Sequence, residues 1–104
     1  MLLTTTETIA GRKIEHLGMV QGSVVQSKHI GKDIMAGFKT LVGGEIKGYT
    51  EMMEDARRIS TARMEEMARG MGADAIVMVR FSSASVMDGA AEILIYGTAV
   101  KFVD

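Results

Sequence analysis

The sequence predicts an α+β fold: an antiparallel sheet packed on one long helix, with elements in the order β-β-α-α-β-β. Three observations predict it. The stretch Ile14–Ser27 alternates its side chains at a period of two. Residues 45–70 place apolar and methionine side chains at three- and four-residue spacing over a charged back. The C-terminal part holds two β-prone runs joined by Asp88-Gly89, a strong hairpin turn pair.

The first element is short. Leu2, Leu3, Thr4, Thr5 and Thr6 suit an extended edge strand, and the chain then turns through Gly11. In the long second strand, Ile14, His16, Gly18, Val20, Gly22 and Val24 fall on one face, and Leu17, Met19, Gln21, Ser23 and Val25 on the other. Gly18 and Gly22 predict a bulge or a close backbone approach. Ile30, Ile34, Phe38 and Leu41 then recur at helical spacing, and Gly43 stands where a left-handed C-terminal cap is expected.

A second helix is expected from about Glu45 or Tyr49 to Gly70. Its predicted core face runs through Tyr49, Met53, Ala56, Ser60, Arg63, Met67 and Met71, flanked by Met52 and Met64. Glu51, Glu54, Asp55, Arg58, Glu65 and Arg69 form its solvated back, laced by i,i+4 charge pairs. Residues 73–86 read as a strand. The return strand after Asp88-Gly89 has two apolar faces, one with Ile93, Ile95, Gly97 and Ala99, the other with Leu94, Tyr96, Thr98, Val100 and Phe102. One helix layer covers only one face, so a second copy of the chain is the expected cover for the other.

Composition agrees with that expectation. The chain has 104 residues, one domain's worth over residues 1–104, and a hydrophobic fraction of 47% with 5% aromatics. A chain this short that is this apolar is expected to bury surface between subunits. Cysteine is absent, so neither disulfides nor thiolate metal sites contribute. The net charge of −1 argues against nucleic acid as a partner. No apolar run reaches the ~20 residues of a membrane span. The N-terminal stretch lacks the basic and apolar regions of a secretory leader, so a cytoplasmic location is expected.

Few motifs carry chemistry. Gly43 to Thr50 reads G-x-x-x-x-G-Y-T, close to a phosphate-binding loop. However, Tyr49 replaces the phosphate-binding lysine, and a helix rather than a strand is expected before it. The glycines Gly43 and Gly44 therefore read as a junction between two helices. The run "GMGADA" goes from helix to strand, the wrong direction for a dinucleotide fingerprint. The ten methionines suit an adaptable core, although thioethers can hold a soft ion. His16 and His29 lack metal-site spacing, and symmetry would be needed to gather ligands around them. Arg63 and Ser60 stand out on the expected core face. An arginine there needs a partner: a carboxylate of another subunit, a row of backbone carbonyls, or a ligand anion.

The segments "TTT", "GMVQGSVV", "VGGEIKGYTEMMEDAR", "GADAIVMVRF" and "YGTAV" occur in this order. With these spacings the chain resembles the YbjQ-like family of small bacterial proteins, which carries a heavy-metal-binding label. The resemblance covers residues 3–100. It implies a dodecin-like subunit in a ring-shaped homo-oligomer, a pentamer or a decamer made from two. Thr4, Thr5, Thr6, Gly43, Gly44, Tyr49, Ala56, Arg57, Gly72, Ala73, Tyr96, Gly97 and Thr98 stand at the positions that carry the resemblance, most with structural duties such as the helix stop at Gly72 and a close approach at Gly97.

The expected function is a non-enzymatic oligomeric binding protein. Its ligand would be a metal ion, divalent or soft, or a small anion, held at subunit interfaces near Arg63, Ser60, Tyr49, Gly43 and Gly44, with His16 and His29 the metal candidates. A ring acting as an interaction module is the alternative. An enzyme with a composite interface site using Tyr49, Arg63 or His16 is the least favoured reading.

Overall fold

The structure is a computed structural model describing residues 1–27, 41–42, 45–87 and 89–104. Its elements are β1 (Leu2–Leu3), β2 (Ile14–Ser27), β3 (Leu41–Val42), β4 (Glu45–Ile46), α1 (Lys47–Gly70), β5 (Ala75–Met87) and β6 (Ala90–Phe102). The central strand is β6, paired antiparallel with β2 on one side and β5 on the other. The four-stranded order is β1-β5-β6-β2, with α1 laid over the β2–β6 side of one face.

The expected antiparallel sheet is therefore a mixed one. Leu2 and Leu3 run parallel to Ala75 and Ile76. The chain turns at Ile9–Arg12, where the Arg12 amide donates to the Ile9 carbonyl at 3.1 Å, but β1 does not pair with β2; it docks on β5, and Leu3 packs against the main core. The expected helix ending at Leu41 is also corrected. Leu41 and Val42 pair antiparallel with Ile46 and Glu45, so this stretch is a small hairpin rather than a helix–helix junction. The rest of that expected helix, with His29, and the expected glycine cap at Gly43 and Gly44 lie outside the described residues. Among the described residues there is one helix.

That helix begins two residues later than the earlier expected boundary and ends where expected. The Ala73 amide donates to the Ala68 carbonyl (3.1 Å) and the Gly72 amide to the Arg69 carbonyl (3.0 Å). Gly72 has φ 78°, completing a Schellman stop. Arg69 sits in the last turn, where the helix dipole favours a cation.

The buried face of α1 differs from expectation. Met52, Ala56, Ser60, Met64 and Ala68 form the buried row, while Met67, Met71 and Arg63 are exposed. The spacing is a strict four, and its small members let the helix approach the sheet closely. The point of closest approach is Gly22. A Cβ there would collide with the Ser60 carbonyl oxygen and lie 2.6 Å from the Met64 nitrogen and 3.1 Å from the Arg63 Cβ. Met64, Val20, Ile76, Ile95 and Ala99 form the main core beneath.

Bulges set the faces of the long strands. A register shift between His16 and Gly18 leaves one extra residue in β2. This moves Ile14 and His16 to the face opposite Val20 and Gly22, correcting the single continuous face expected from alternation. A second shift, between Val77 and Arg80, holds Met78 in a left-handed conformation, φ 55°. It turns Phe81 towards the helix side, beside Ile95, and Arg80 to the opposite side, beside Tyr96.

On the side away from the helix, Ile9, Ile14 and Phe102 pack over Ala75, Val77 and Val100 as a second, smaller core. Further along that face Leu94 and Thr98 are half-buried, and Tyr96 is exposed. The β5–β6 hairpin expected from the sequence is present. Met87 pairs with Ala90, and Gly89 has φ 75°. Its other turn residue, Asp88, lies outside the described residues.

Candidate functional site

Because α1 sits over β2 and β6, the helix-side face of β5 is left partly uncovered. The result is a cleft between β5 and the flank of α1 that faces it. Phe81, 51% exposed, lines three hollows of this cleft among the described residues. One, of about 270 Å³, has Leu3, Val79 and Ile95 as an apolar floor and Thr4, Thr5 and Thr61 as a polar rim. A second, of about 180 Å³, lies between Met53, Arg57, Ile93, Ser82 and Ser83. The third and most open is rimmed by Arg57, Arg58, Thr61, Ala62 and Glu65.

The local sequence explains how each side chain comes to be there. The Met78 bulge directs Phe81 into the cleft. Thr4, Thr5 and Thr6 are held along β5 by backbone bonds: Thr4 N–H to Ile76 O, Val79 N–H to Thr4 O and Met78 N–H to Thr6 O, each 3.0–3.1 Å. Arg80 fastens the same segment from outside, donating to the Thr5 carbonyl at 2.9 Å. Arg57, Thr61 and Glu65 follow one another at four-residue spacing along the flank of α1. The Thr61 hydroxyl donates to the Arg57 carbonyl at 2.7 Å.

The charges at the rim are not equivalent. Arg58 lies 3.5 Å from Asp55, and Arg69 binds Glu65 at 3.1 Å. Arg57 has no ion-pair partner among the described residues. Arg57 lines two of these hollows, so it is the cation best placed to meet a ligand anion over an apolar floor.

The residues singled out from the sequence lie as follows. Arg63 donates to the Ser23 carbonyl on the outer edge of β2 at 2.6 Å, so its partner is a backbone carbonyl, one of the three kinds expected. Ser60 is fully buried, and its hydroxyl donates to the Arg57 carbonyl at 3.1 Å. Both stand at the Gly22 crossing. Tyr49 is half-buried near the start of the helix, roughly 20 Å along the axis from Arg63 at 1.5 Å per residue. His16 is exposed on the opposite face of the sheet. The structure thus brings Ser60 and Arg63 together and leaves Tyr49 and His16 apart. Gly43, Gly44 and His29 lie outside the described residues.

Sequence reasoning did not reach the cleft. Arg57 was legible only as a position carrying the family resemblance, and Phe81 as one residue of a strand.

A separate polar clasp ties the chain ends. Arg12 donates to both Asp104 carboxylate oxygens (2.7 and 3.0 Å) and stacks 3.7 Å over the Phe102 ring. The hydrogen bond to Arg12 holds the Asp104 carboxyl below the usual range, and the same bond raises the Arg12 guanidinium.

Residues 1–103 match a family model described as "Putative heavy-metal-binding". The chain belongs to the YbjQ-like family. It is 65% identical over 102 residues to a UPF0145 protein of Thermosipho africanus, covering 97% of this chain and 94% of that one. It is 57% identical over 103 residues to a UPF0145 protein of Alkaliphilus metalliredigens, covering 99% of this chain and all of that one. A crystal structure of a DUF74-family protein of unknown function from Pediococcus pentosaceus superposes with a TM-score of 0.64 over 99% of this chain and 98% of that one, at 13% identity. That likeness shows the fold.

The family description names heavy metals, which need a gathered set of donor side chains. Among the described residues, no three histidine or acidic side chains gather as a metal site. A site made of nitrogen and oxygen ligands would need residues from more than one copy. No described helix is long and apolar enough to cross a membrane.

Proposed function

We propose that this YbjQ-like protein is a self-assembling, non-enzymatic binding protein whose ligand site is the Phe81 cleft, completed by a neighbouring copy. The observation that carries the reading is Arg57: a cation without an ion-pair partner among the described residues, set over a floor of Phe81, Met53 and Ile93. Such a site suits a small anion with an apolar body, such as an aliphatic carboxylate. The carboxylate would meet the guanidinium, and the chain would cover the floor.

Assembly is supported by shape. The radius of gyration is 16.7 Å, against about 13 Å for a compact domain of this length. Apolar side chains stay exposed on both flanks of the sheet, Met19 and Val25 on β2 and Phe81, Val86 and Met87 on β5. A ring-shaped homo-oligomer, pentamer or decamer, working in the cytoplasm, is the form this reading takes.

Calorimetric titration with hexanoate, and separately with inorganic phosphate, tests the ligand. The wild type is expected to bind hexanoate more tightly than phosphate, and Arg57→Ala to lose at least tenfold in affinity. Equal affinity of the wild type and Arg57→Ala would sink the site.

The family description favours a second reading, a divalent or soft metal ion bound between copies. Titration with Zn²⁺, Ni²⁺ and Cu⁺ addresses it. No heat at millimolar metal would exclude binding tighter than about −4 kcal/mol.

A further inference from the structure

Among the described residues the sheet is open at both edges, and the two edges are complementary. On one side, among the described residues, β2 has only β6 as a neighbour. Arg63 reaching the Ser23 carbonyl marks Ser23 as directed outwards, away from β6. Antiparallel alternation then directs Met19, Gln21 and Val25 outwards as well. On the other side, β1 and the threonines cover the edge of β5 only as far as Val79. Thr4 bonding to Ile76, on the same side as the Val79 amide, fixes the outward set of β5; beyond the covered part it continues through Phe81, Ser83 and Ser85.

Faces decide how these edges can meet. The outward residues of β2 point their side chains away from the helix, whereas those of β5 point theirs towards it. When two strands pair antiparallel, directly opposed outward residues must share a face. Here they do not, so two similarly oriented copies cannot pair β2 with β5 that way. A parallel pair has no such conflict: Ser23 of one copy lies opposite Ser82 of the next and bonds to the residues either side of it. Both Ser23 and Ser82 pair with Leu94 within the chain, so they stand at the same height in the sheet. Both β2 and β5 run antiparallel to β6, so copies related by a ring axis present them in parallel.

The layer above fits the same placement. The outer flank of α1, with Ile59 and Arg63, lies on the β2 side, where Arg63 reaches Ser23, and the Phe81 cleft lies on the β5 side. Bringing β2 against the next copy's β5 sets that flank over the cleft. Arg58 already lies 3.5 Å from Asp55 and Glu66 4.0 Å from Arg69, so Arg57 is the rim cation left for a ligand under that roof. The surface area agrees. The chain exposes 6633 Å², against about 5,700 Å² for a compact monomer of its mass. The surplus resembles the ~800 Å² that each partner contributes to a standard interface.

We infer that copies of this chain join head to tail, the outer edge of β2 running parallel to residues 81–85 of β5 in the next copy, with the α1 flank roofing the neighbour's Phe81 cleft. This rests on the self-assembly part of the reading above. A contact of this kind repeats around a ring and leaves no free edge once closed.

The absence of native cysteine makes the test clean. Ser23→Cys is combined in turn with Ser82→Cys and with Ala84→Cys, all exposed positions on one face of the sheet. Each variant is treated with a short bismaleimide, and native mass spectrometry gives the assembly state of the wild type. The expected result is a wild-type oligomer and a ladder of covalent multimers from at least one double variant, with none from the single variants. A monomeric wild type would overturn both this inference and the assembly reading. An oligomer in which Ser23→Cys alone cross-links to dimers would show β2 pairing with β2 and overturn only the head-to-tail contact. So would an oligomer in which neither double variant gives a ladder.

Discussion

Replacing Gly22 by alanine tests the packing of the fold at its tightest point. The new methyl group would meet the backbone of α1 at Ser60 and Met64, neither of which can swing aside as a side-chain tip does. From the 2.6 Å approach to the Met64 nitrogen, the helix must rise by about 1 Å to restore ordinary contact, a gap that forfeits up to half of each contact's dispersion energy. The loss falls on the buried row of Met52, Ala56, Met64 and Ala68. Overpacking of this kind costs about 2–3 kcal/mol. For a domain of this length that lowers the melting temperature by about 10–20 °C. Circular dichroism at 222 nm against temperature, with a urea titration for the free energy, measures it. Gly70→Ala is the control, since nothing lies within 4 Å of its added methyl group. It should leave stability unchanged or raise it by up to about 1 kcal/mol. If Gly22→Ala falls within about 0.5 kcal/mol of wild type, the account of helix–sheet contact is wrong.

Other expectations follow from single contacts. Arg63→Ala should cost about 1 kcal/mol by removing one bond to an exposed strand edge, read from the urea midpoint. Met78→Gly relieves a left-handed methionine but loosens the unfolded chain, so its stability should stay within about 1 kcal/mol of wild type; a larger loss would mean that the Met78 side chain matters more than its 41% exposure suggests. Asp104 has a folded pKa below its unfolded one, so its contribution is present above the usual carboxylate range and lost as pH falls through the folded value. Thermal melts from pH 6 to pH 2 should therefore fall more steeply for wild type than for Arg12→Ala, and parallel curves would refute the clasp.

Much of the fold was legible because its signals are local. The Asp88-Gly89 pair announced the β5–β6 hairpin, the Ile14–Ser27 alternation announced β2, and Gly22 and Gly97 were marked as close approaches. A Cβ at Gly97 would indeed lie 2.8 Å from the Ile76 side chain and 2.9 Å from the Val77 carbonyl. What failed was non-local or small. Two residues of β1 carry no directional information, so the parallel pairing with β5 could not be read. The core row of α1 is built on alanine and serine, which apolar periodicity underweights. Methionines drew the predicted face towards Met67 and Met71 instead. Gly18 marked the bulge at Leu17 but not the inversion of faces that it causes, and the bulge at Met78 leaves no pattern that alternation detects. The cleft escaped because its key charge, Arg57, looks in sequence like any solvated helix residue. Only the offset of α1 towards β2 gives that side chain a floor to stand over.

The sheet order also bears on how the chain comes to be folded. In the described four-stranded sheet only β5 and β6 pair between neighbours in sequence; β2 waits for β6, and Leu2–Leu3 wait for Ala75 and Ile76. During synthesis the long β2 strand emerges well before β6, its partner among the described strands. Such non-local pairing slows folding and leaves a bare strand open to premature contacts with other nascent chains. In the folded chain Arg63 donates to the Ser23 carbonyl, so one acceptor of that long-waiting strand is met by the helix rather than by β6.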